Sequence, residues 1–263
     1  MVKDLNNGYV VSEVHKGIAT IEFYHPQSNS LPHRILTDLA NEIHALGSEK
    51  TTRVIVLRSA GEKTFCAGAS FDELVAIKNE QEGLKFFTGF ANVINAMRIC
   101  PKFIIGRIQG KCVGGGVGLA AAVDYAIASE SAEVKLSELA VGIGPFVVGP
   151  AVERKLGASA FSQLAIDAAH WRNADWAKRK GLFAEVHASF EEMDEAVQRL
   201  ANTLSHSSPQ AMAELKKINW KGTEHWDSLL LERAKISGRL VLSDFTKQAI
   251  EKFKASKNVS RES

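Results

Sequence analysis

A succession of strand, tight turn and helix, repeated along the first half of the chain, limits its possible folds most strongly. The apolar, β-branched run over residues 53–58 is typical of a strand covered on both faces. A small-residue segment at 65–70 and two helical stretches follow it, and the second helix stops at Pro101. A strand over 103–108, a glycine-rich turn, a short apolar helix and a strand at 126–128 then repeat the order. This alternation predicts an α/β fold.

The N-terminal part predicts a hairpin and a helix. Strand-like runs at residues 10–14 and 18–23 flank a turn at Gly17. Residues 25–31 are predicted to form a loop, and Thr37 is the predicted N-cap of the first helix. The apolar face of that helix consists of Leu39, Ile43 and Leu46.

The stretch after residue 204 has a different character. Strand signals disappear beyond Pro209, and apolar residues from Met212 to Ile250 recur at helical spacings. Helices without a sheet to cover must bury their apolar faces against the core or a second subunit. We therefore predict a core over residues 1–204 and a helical region over residues 205–263 that packs on the core or on a second subunit.

Charge and cysteine usage argue against nucleic-acid binding and indicate the cellular compartment. Lysine and arginine total 32 against 30 acidic residues, and no dense basic run is interleaved with aromatics, so no nucleic-acid partner is expected. The three cysteines form no CxxC pair, which favours a reducing compartment. The start of the chain lacks a signal-peptide pattern, and no apolar run is long enough for a membrane span. A cytoplasmic location is expected.

The glycine cluster over residues 114–118 admits several interpretations. Residues 116–121 fit G-x-G-x-x-A, with Glu138 about 20 residues further on. A dinucleotide site would need that acid at the end of the next strand, and Glu138 lies a whole segment beyond residues 126–128. No Lys-Ser or Lys-Thr pair follows, which excludes a Walker A loop. Two interpretations remain: a turn packed closely on a strand, or bare amides at a helix N-terminus that face an anion.

The small-residue segment at residues 65–70 is the second candidate site. Small side chains leave main-chain N–H groups accessible to a ligand. Cys66 has no basic partner nearby in sequence, so a small buried cysteine is favoured over a nucleophile. Ser70 lies outside a G-x-S-x-G elbow, which argues against a hydrolase.

These two segments resemble those of the enoyl-CoA hydratase/isomerase family within the crotonase superfamily. Residues 65–69 resemble its F-x-A-G-A-D segment, and residues 110–129 resemble the segment that ends in D-x-x-x-A-S. Residues 26–31 match P-x-x-N-x-L, and residues 243–254 are similar to the final helix. The resemblance implies a crotonase-like spiral of ββα units with a C-terminal α-helical region.

The resemblance also assigns roles. Ala69 and Gly115 match the positions whose two amides bind the thioester oxygen as it gains charge, an oxyanion hole. Ala67 and Gly68 match the bend along which the pantetheine arm of CoA passes. Glu138 matches the second catalytic glutamate of the family, and a desolvated carboxyl there should have a raised pKa.

Further implications concern substrate and assembly. Phe146 occupies the place of an additional acid in dienoyl-CoA isomerases, and Lys252 and Lys254 match positions near the CoA phosphates. Phe86, Phe87, Phe90 and Phe146 are candidates for an apolar acyl pocket or for the core. The family is trimeric or hexameric with an interface built by the C-terminal helices, which implies a homo-oligomer and an oligomerisation role for residues 205–263. No cofactor is implied beyond the CoA of the substrate, and no His, Asp or Glu set has metal-ligand spacing.

Departures from the family pattern leave the reaction open. The first catalytic glutamate of hydratases would fall at Gly118, and the usual aspartate after G-A is Ser70. One carboxylate suffices to move a proton between two carbons, whereas hydration is easiest with two. Isomerisation of an enoyl-CoA double bond is therefore slightly favoured. Hydration, including that of a branched substrate such as methylglutaconyl-CoA, and acyl-CoA binding without catalysis are the alternatives.

Overall fold

Two sheets organise the chain in the computed structural model, which describes residues 3–252. The chain starts with β1 (Tyr9–His15), β2 (Ile18–Tyr24) and α1 (His33–Ser48). Three successive units follow. The first comprises β3 (Val54–Ser59), β4 (Thr64–Cys66), α2 (Phe71–Ala76) and α3 (Glu80–Ile99). The second comprises β5 (Phe103–Ile108), β6 (Lys111–Val113) and α4 (Gly115–Ala122). The third comprises β7 (Tyr125–Ser129), β8 (Glu133–Lys135) and a 3₁₀ helix (Glu138–Val141).

The remaining elements are mostly helical. They are α5 (Gly149–Leu156), α6 (Ala158–Ile166), β9 (Arg172–Asn173), α7 (Ala174–Arg179), β10 (Glu185–His187) and α8 (Phe190–Ser205). The C-terminal part contains α9 (Pro209–Asn219), α10 (Trp226–Leu240) and a helix over residues 244–252. The helical character predicted beyond residue 204 is thus present, while the boundary and the oligomerisation role remain predictions.

The strand order confirms the predicted spiral. The six-stranded sheet has the order β1-β2-β3-β5-β7-β10, and the four-stranded sheet has the order β4-β6-β8-β9. Each unit places its first strand in the large sheet, its second strand in the small sheet, and then enters a helix. The strands of successive units pair in parallel in both sheets. The result is a mixed α/β fold built from ββα turns.

Helices cover both faces of the large sheet. On one face, α1 buries Ile35, Leu39 and Ile43 in the main core. On the other face, Met193 and Val197 of α8 pack with residues of β3, β5 and β7. Burial on both faces explains the apolar, β-branched run of β3 and the small and apolar residues of β5 and β7.

Some predicted boundaries were wrong. The first helix begins at His33, four residues before Thr37. The hydroxyl of Thr37 donates to the carbonyl of His33, which places it inside the helix rather than at its cap. None of the helices within residues 3–252 combines the length and the apolar character that a bilayer crossing requires.

Candidate active site

Three strand-to-helix junctions meet at one end of the small sheet. The parallel register pairs Cys66 with Cys112, and Cys112 with Val134. Because parallel strands end at the same edge of a sheet, the segments that follow them lie side by side. These segments are residues 67–70, 114–115 and 136–138. They contain five of the residues that the sequence predicts for the site: Ala67, Gly68, Ala69, Gly115 and Glu138.

The first junction presents the amide of Ala69. A parallel bridge joins Leu31 to Ala69: Leu31 N–H donates to the Gly68 carbonyl at 2.7 Å, and Ser70 N–H donates to the Leu31 carbonyl at 3.0 Å. Ala67 N–H donates to the Asn29 carbonyl at 3.2 Å. Within the described residues the N–H of Ala69 has no hydrogen-bond partner. It is therefore available to a ligand.

The second junction presents the amide of Gly115. Gly114 precedes α4 with φ +52°, and Gly115 is the first residue of that helix, so its N–H has no acceptor inside the helix. Gly68, at φ +90°, lies against this turn: a methyl group on it would be 3.0 Å from the Val113 carbonyl and 3.5 Å from the Gly115 nitrogen. The glycine at position 68 thus allows the two amide-bearing segments to approach each other.

The third junction presents the carboxyl of Glu138. A methyl group on Gly114 would lie 3.0 Å from Oε1 of Glu138, so the carboxyl is adjacent to the turn that carries Gly115. Oε2 is out of contact with solvent and has no hydrogen-bond partner within the described residues. Burial raises the pKa of the Glu138 carboxyl to about 7, against a smaller lowering by a hydrogen bond with its own backbone. Such a group can accept and return a proton near neutral pH.

Apolar side chains fill the space beside these groups. A methyl group on Gly118 would lie 2.5 Å from Cγ1 of Val148, and a methyl group on Gly115 would lie 2.3 Å from Cζ of Phe90. Both Val148 and Phe90 are buried. A carboxylate side chain at position 118 would therefore collide with Val148.

The other predicted site residues come later in the sequence than the three junctions. Phe146 is half-buried, and its ring packs against Gly144. Lys252 is exposed on the last described helix, and Lys254 lies outside the described residues. Burial raises the pKa of the Cys66 thiol to about 12, which agrees with a small buried cysteine.

Three features of the site have no clear signal in the sequence. They are the hydrogen bonds between residues 29–31 and residues 67–70, the contact of Val148 with Gly118, and the contact of Phe90 with Gly115. Each of them joins segments that are distant along the chain. Only the P-x-x-N-x-L match gave a hint of the first, and it did not reveal the partners. Residues 3–252 hold no group of three or more His, Cys, Asp or Glu side chains placed to bind a metal ion.

Comparison with known proteins decides the family. The family model for enoyl-CoA hydratase/isomerase matches residues 13–254. The chain belongs to this family. A putative enoyl-CoA hydratase/isomerase of Bacillus subtilis is 30% identical over 219 residues, which is 82% of each chain. Mouse mitochondrial methylglutaconyl-CoA hydratase is 30% identical over 227 residues, covering 85% of this chain and 69% of its own.

The fold agrees with this assignment. A short-chain-enoyl-CoA hydratase of Clostridium acetobutylicum is 28% identical over 253 residues, or 95% of both chains. The crystal structure of an enoyl-CoA hydratase from Bacillus halodurans superposes with a TM-score of 0.85 at 22% identity, covering 92% of this chain and 99% of that one. The chain therefore has the crotonase fold of this enoyl-CoA hydratase/isomerase family.

Proposed function

We propose that this enzyme converts acyl-CoA thioesters through an enolate, and that double-bond isomerisation is its preferred reaction. The observation that carries the proposal is the Glu138 carboxyl, which is adjacent to the Gly114–Gly115 turn and whose Oε2 is shielded from solvent and has no hydrogen-bond partner within the described residues. Position 118, where a second acid would stand, is a glycine packed against Val148. One proton carrier therefore serves the whole reaction.

The proposed reaction moves one proton. The thioester oxygen of a 3-enoyl-CoA lies between the amides of Ala69 and Gly115. Glu138 takes a proton from carbon 2, and the C–H electrons delocalise into the thioester as an enolate. The two N–H donors stabilise the negative oxygen, each by about 3–4 kcal/mol as in other oxyanion holes. Glu138 then returns the proton to carbon 4, which leaves a conjugated 2-enoyl-CoA and a regenerated carboxylate.

Hydration is the second candidate. The relatives named as hydratases favour it, including short-chain-enoyl-CoA hydratase and methylglutaconyl-CoA hydratase. In that reaction Glu138 would activate a water molecule, and a second group would have to orient it. A branched enoyl-CoA is then a substrate to be tried first.

The surroundings complete the proposal. The pantetheine arm of the substrate would run along Ala67 and Gly68, and Phe146, Lys252 and Lys254 remain proposed contacts for the acyl-CoA. A trimer or hexamer is the proposed assembly, and no cofactor other than the substrate's CoA takes part. Within the described residues all three cysteines are free, which supports the proposed cytoplasmic location.

The test is an assay in both directions. Purified protein is mixed with 3-enoyl-CoA and, separately, with 2-enoyl-CoA substrates of different length and branching. Isomerisation increases the absorbance of the conjugated thioester in the first case. Hydration decreases that absorbance in the second case. If neither signal changes with any substrate, the proposed isomerisation and hydration are both wrong, and acyl-CoA binding without catalysis is the alternative to be tested.

A further inference from the structure

Asn29 connects three parts of the chain around the amide of Ala69. Its side chain is 3% exposed, and its Nδ2 donates to the carbonyls of Ala60 and Thr64 at 3.0 and 2.9 Å. Its Oδ1 accepts the N–H of His25 at 2.9 Å. Its own carbonyl accepts the N–H of Ala67. All polar groups of the side chain are therefore used, and each bond goes to a different backbone group.

The backbone of Asn29 is also specialised. Its φ is +54°, in the left-handed region that asparagine tolerates better than most residues. This conformation turns the chain so that Leu31 forms its bridge with Ala69. The Gly68 carbonyl, which shares a peptide group with the N–H of Ala69, is the acceptor of the 2.7 Å bond from Leu31. A hydrogen bond to that carbonyl polarises the same peptide and strengthens its N–H as a donor.

Gln109 provides a natural comparison. It is fully buried, and its Nε2 donates to Ser59 Oγ at 2.8 Å, to the Gly61 carbonyl at 3.1 Å and to the Thr64 carbonyl at 3.2 Å. Both amides thus hold the turn over residues 60–64. Of these two residues only Asn29 also bonds to the segment that carries Ala69, and it does so through its main-chain carbonyl, which the side-chain bonds hold in place.

We propose that Asn29 is a positioning residue for the oxyanion hole: it fixes the segment over residues 67–70 so that the Ala69 N–H points at the thioester oxygen. This inference rests on the proposed function of that amide. An oxyanion donor must lie 2.7–3.1 Å from the charged oxygen, and a displacement of about 1 Å can cost about 100-fold in rate. The hydrogen bond from the Ala69 N–H to the thioester oxygen is stronger in the transition state than in the bound substrate. Loss of Asn29 therefore lowers kcat rather than raising KM.

The experiment compares Asn29→Ala with Gln109→Ala. For each protein, kcat, KM and the melting temperature are measured. The carbonyl stretching band is recorded for bound butanoyl-CoA carrying carbon-13 at the thioester carbon, a saturated ligand that cannot isomerise or hydrate. Asn29→Ala is expected to lose about 10- to 100-fold in kcat with KM changed less than about threefold. The downward shift of the carbonyl band on binding is expected to shrink. Gln109→Ala is expected to keep the band shift and kcat despite a lower melting temperature.

The outcomes separate the two proposals. If the wild-type protein binds butanoyl-CoA without any band shift, the oxyanion hole itself is absent and the proposed function fails. If the wild type shows the shift and Asn29→Ala retains it together with wild-type kcat, Asn29 has no positioning role. An equal loss of kcat and band shift in Gln109→Ala would also overturn it, because the turn over residues 60–64 alone would then be responsible.

A second variant covers the case in which Asn29→Ala does not fold. Asn29→Gly keeps the left-handed backbone accessible and removes only the side-chain bonds. It is expected to show the same loss of kcat and band shift. A folded Asn29→Gly with wild-type values of both would refute the positioning role.

Discussion

Burial of the Glu138 carboxyl suits its proposed catalytic role and at the same time destabilises the fold. The carboxyl has a pKa of about 7 in the folded protein, against an ordinary value of 4.5, because burial disfavours its charged form. Between these two pH values the folded chain keeps a proton that the unfolded chain has released. Stability therefore falls as the pH rises through this window, and the full penalty, at most about 3 kcal/mol, is present above pH 7.

Replacing Glu138 with glutamine should reduce activity and increase stability. We expect Glu138→Gln to lose at least about 100-fold in kcat while substrate affinity is largely retained, since the proton carrier is gone. At pH 8 its free energy of unfolding should rise by about 1–3 kcal/mol, and at pH 5 the gain should be much smaller. Steady-state kinetics and urea unfolding at the two pH values measure both effects.

The wild-type pH profile and a matched substitution complete this test. If Glu138 acts first as a base, kcat/KM of the wild type falls as the pH drops below about 7. The exposed Glu130 provides the control, and Glu130→Gln should leave turnover unchanged. Unchanged turnover in Glu138→Gln would eliminate this residue as the acid–base.

At the scale of elements, α4 can occupy the centre of the site because it is made of small residues. Every residue from Gly116 to Ala122 is buried. A methyl group on Gly116 would lie 2.1 Å from the carbonyl oxygen of Cys66, and one on Gly118 would lie 2.5 Å from Val148. The first neighbour is backbone and the second is a side chain. Shortening the Val148 side chain should therefore make room for a methyl group at position 118. No side-chain substitution can do so at position 116, where the neighbour is a carbonyl oxygen.

A double-mutant cycle tests this difference. Gly118→Ala should destabilise the protein by about 1–3 kcal/mol through overpacking. In the background of Val148→Ala the same change should cost less, with a coupling energy of about 0.5–3 kcal/mol. Gly116→Ala should show no such rescue by Val148→Ala. Denaturant unfolding of the single and double variants gives the coupling energies, and additivity at position 118 would show that Val148 does not fill this space.

The elements also show where sequence reasoning succeeds and where it stops. β3 and β5 are long β-branched runs, and their prediction agrees with the structure to within one residue. β8 and β10 have three residues each, too few for a periodic signal, and the sequence did not predict them. Because β8 positions Glu138 next to Gly114, the sequence could suggest the site residues but could not place them together without the family resemblance.

For the whole molecule, a buried charge network attaches the C-terminal helices to the core. Lys216 of α9 is 2% exposed, and its Nζ lies 2.8 Å from the carboxylate of Asp124 and 2.7 Å from the Lys102 carbonyl. The same carboxylate accepts hydrogen bonds from Trp220 Nε1 and from the N–H of Ile104. Asp124 follows α4 closely in sequence, so this attachment also supports the helix that carries Gly115.

Removing one member of this pair should cost more than removing both charges. Lys216→Met leaves the buried Asp124 carboxylate without the ammonium group that contacts it, and we expect a loss of about 3–5 kcal/mol in the free energy of unfolding. Adding Asp124→Asn to Lys216→Met removes the uncompensated charge and should recover part of that loss.

Arg98 and Asp227 also join the core to the C-terminal region, but Asp227 has 71% of its side chain exposed. Asp227→Asn should therefore cost no more than about 1 kcal/mol. Denaturant unfolding measures the free energy of unfolding of each variant. If Lys216→Met and Asp227→Asn lower it equally, the buried network does not hold the helices to the core.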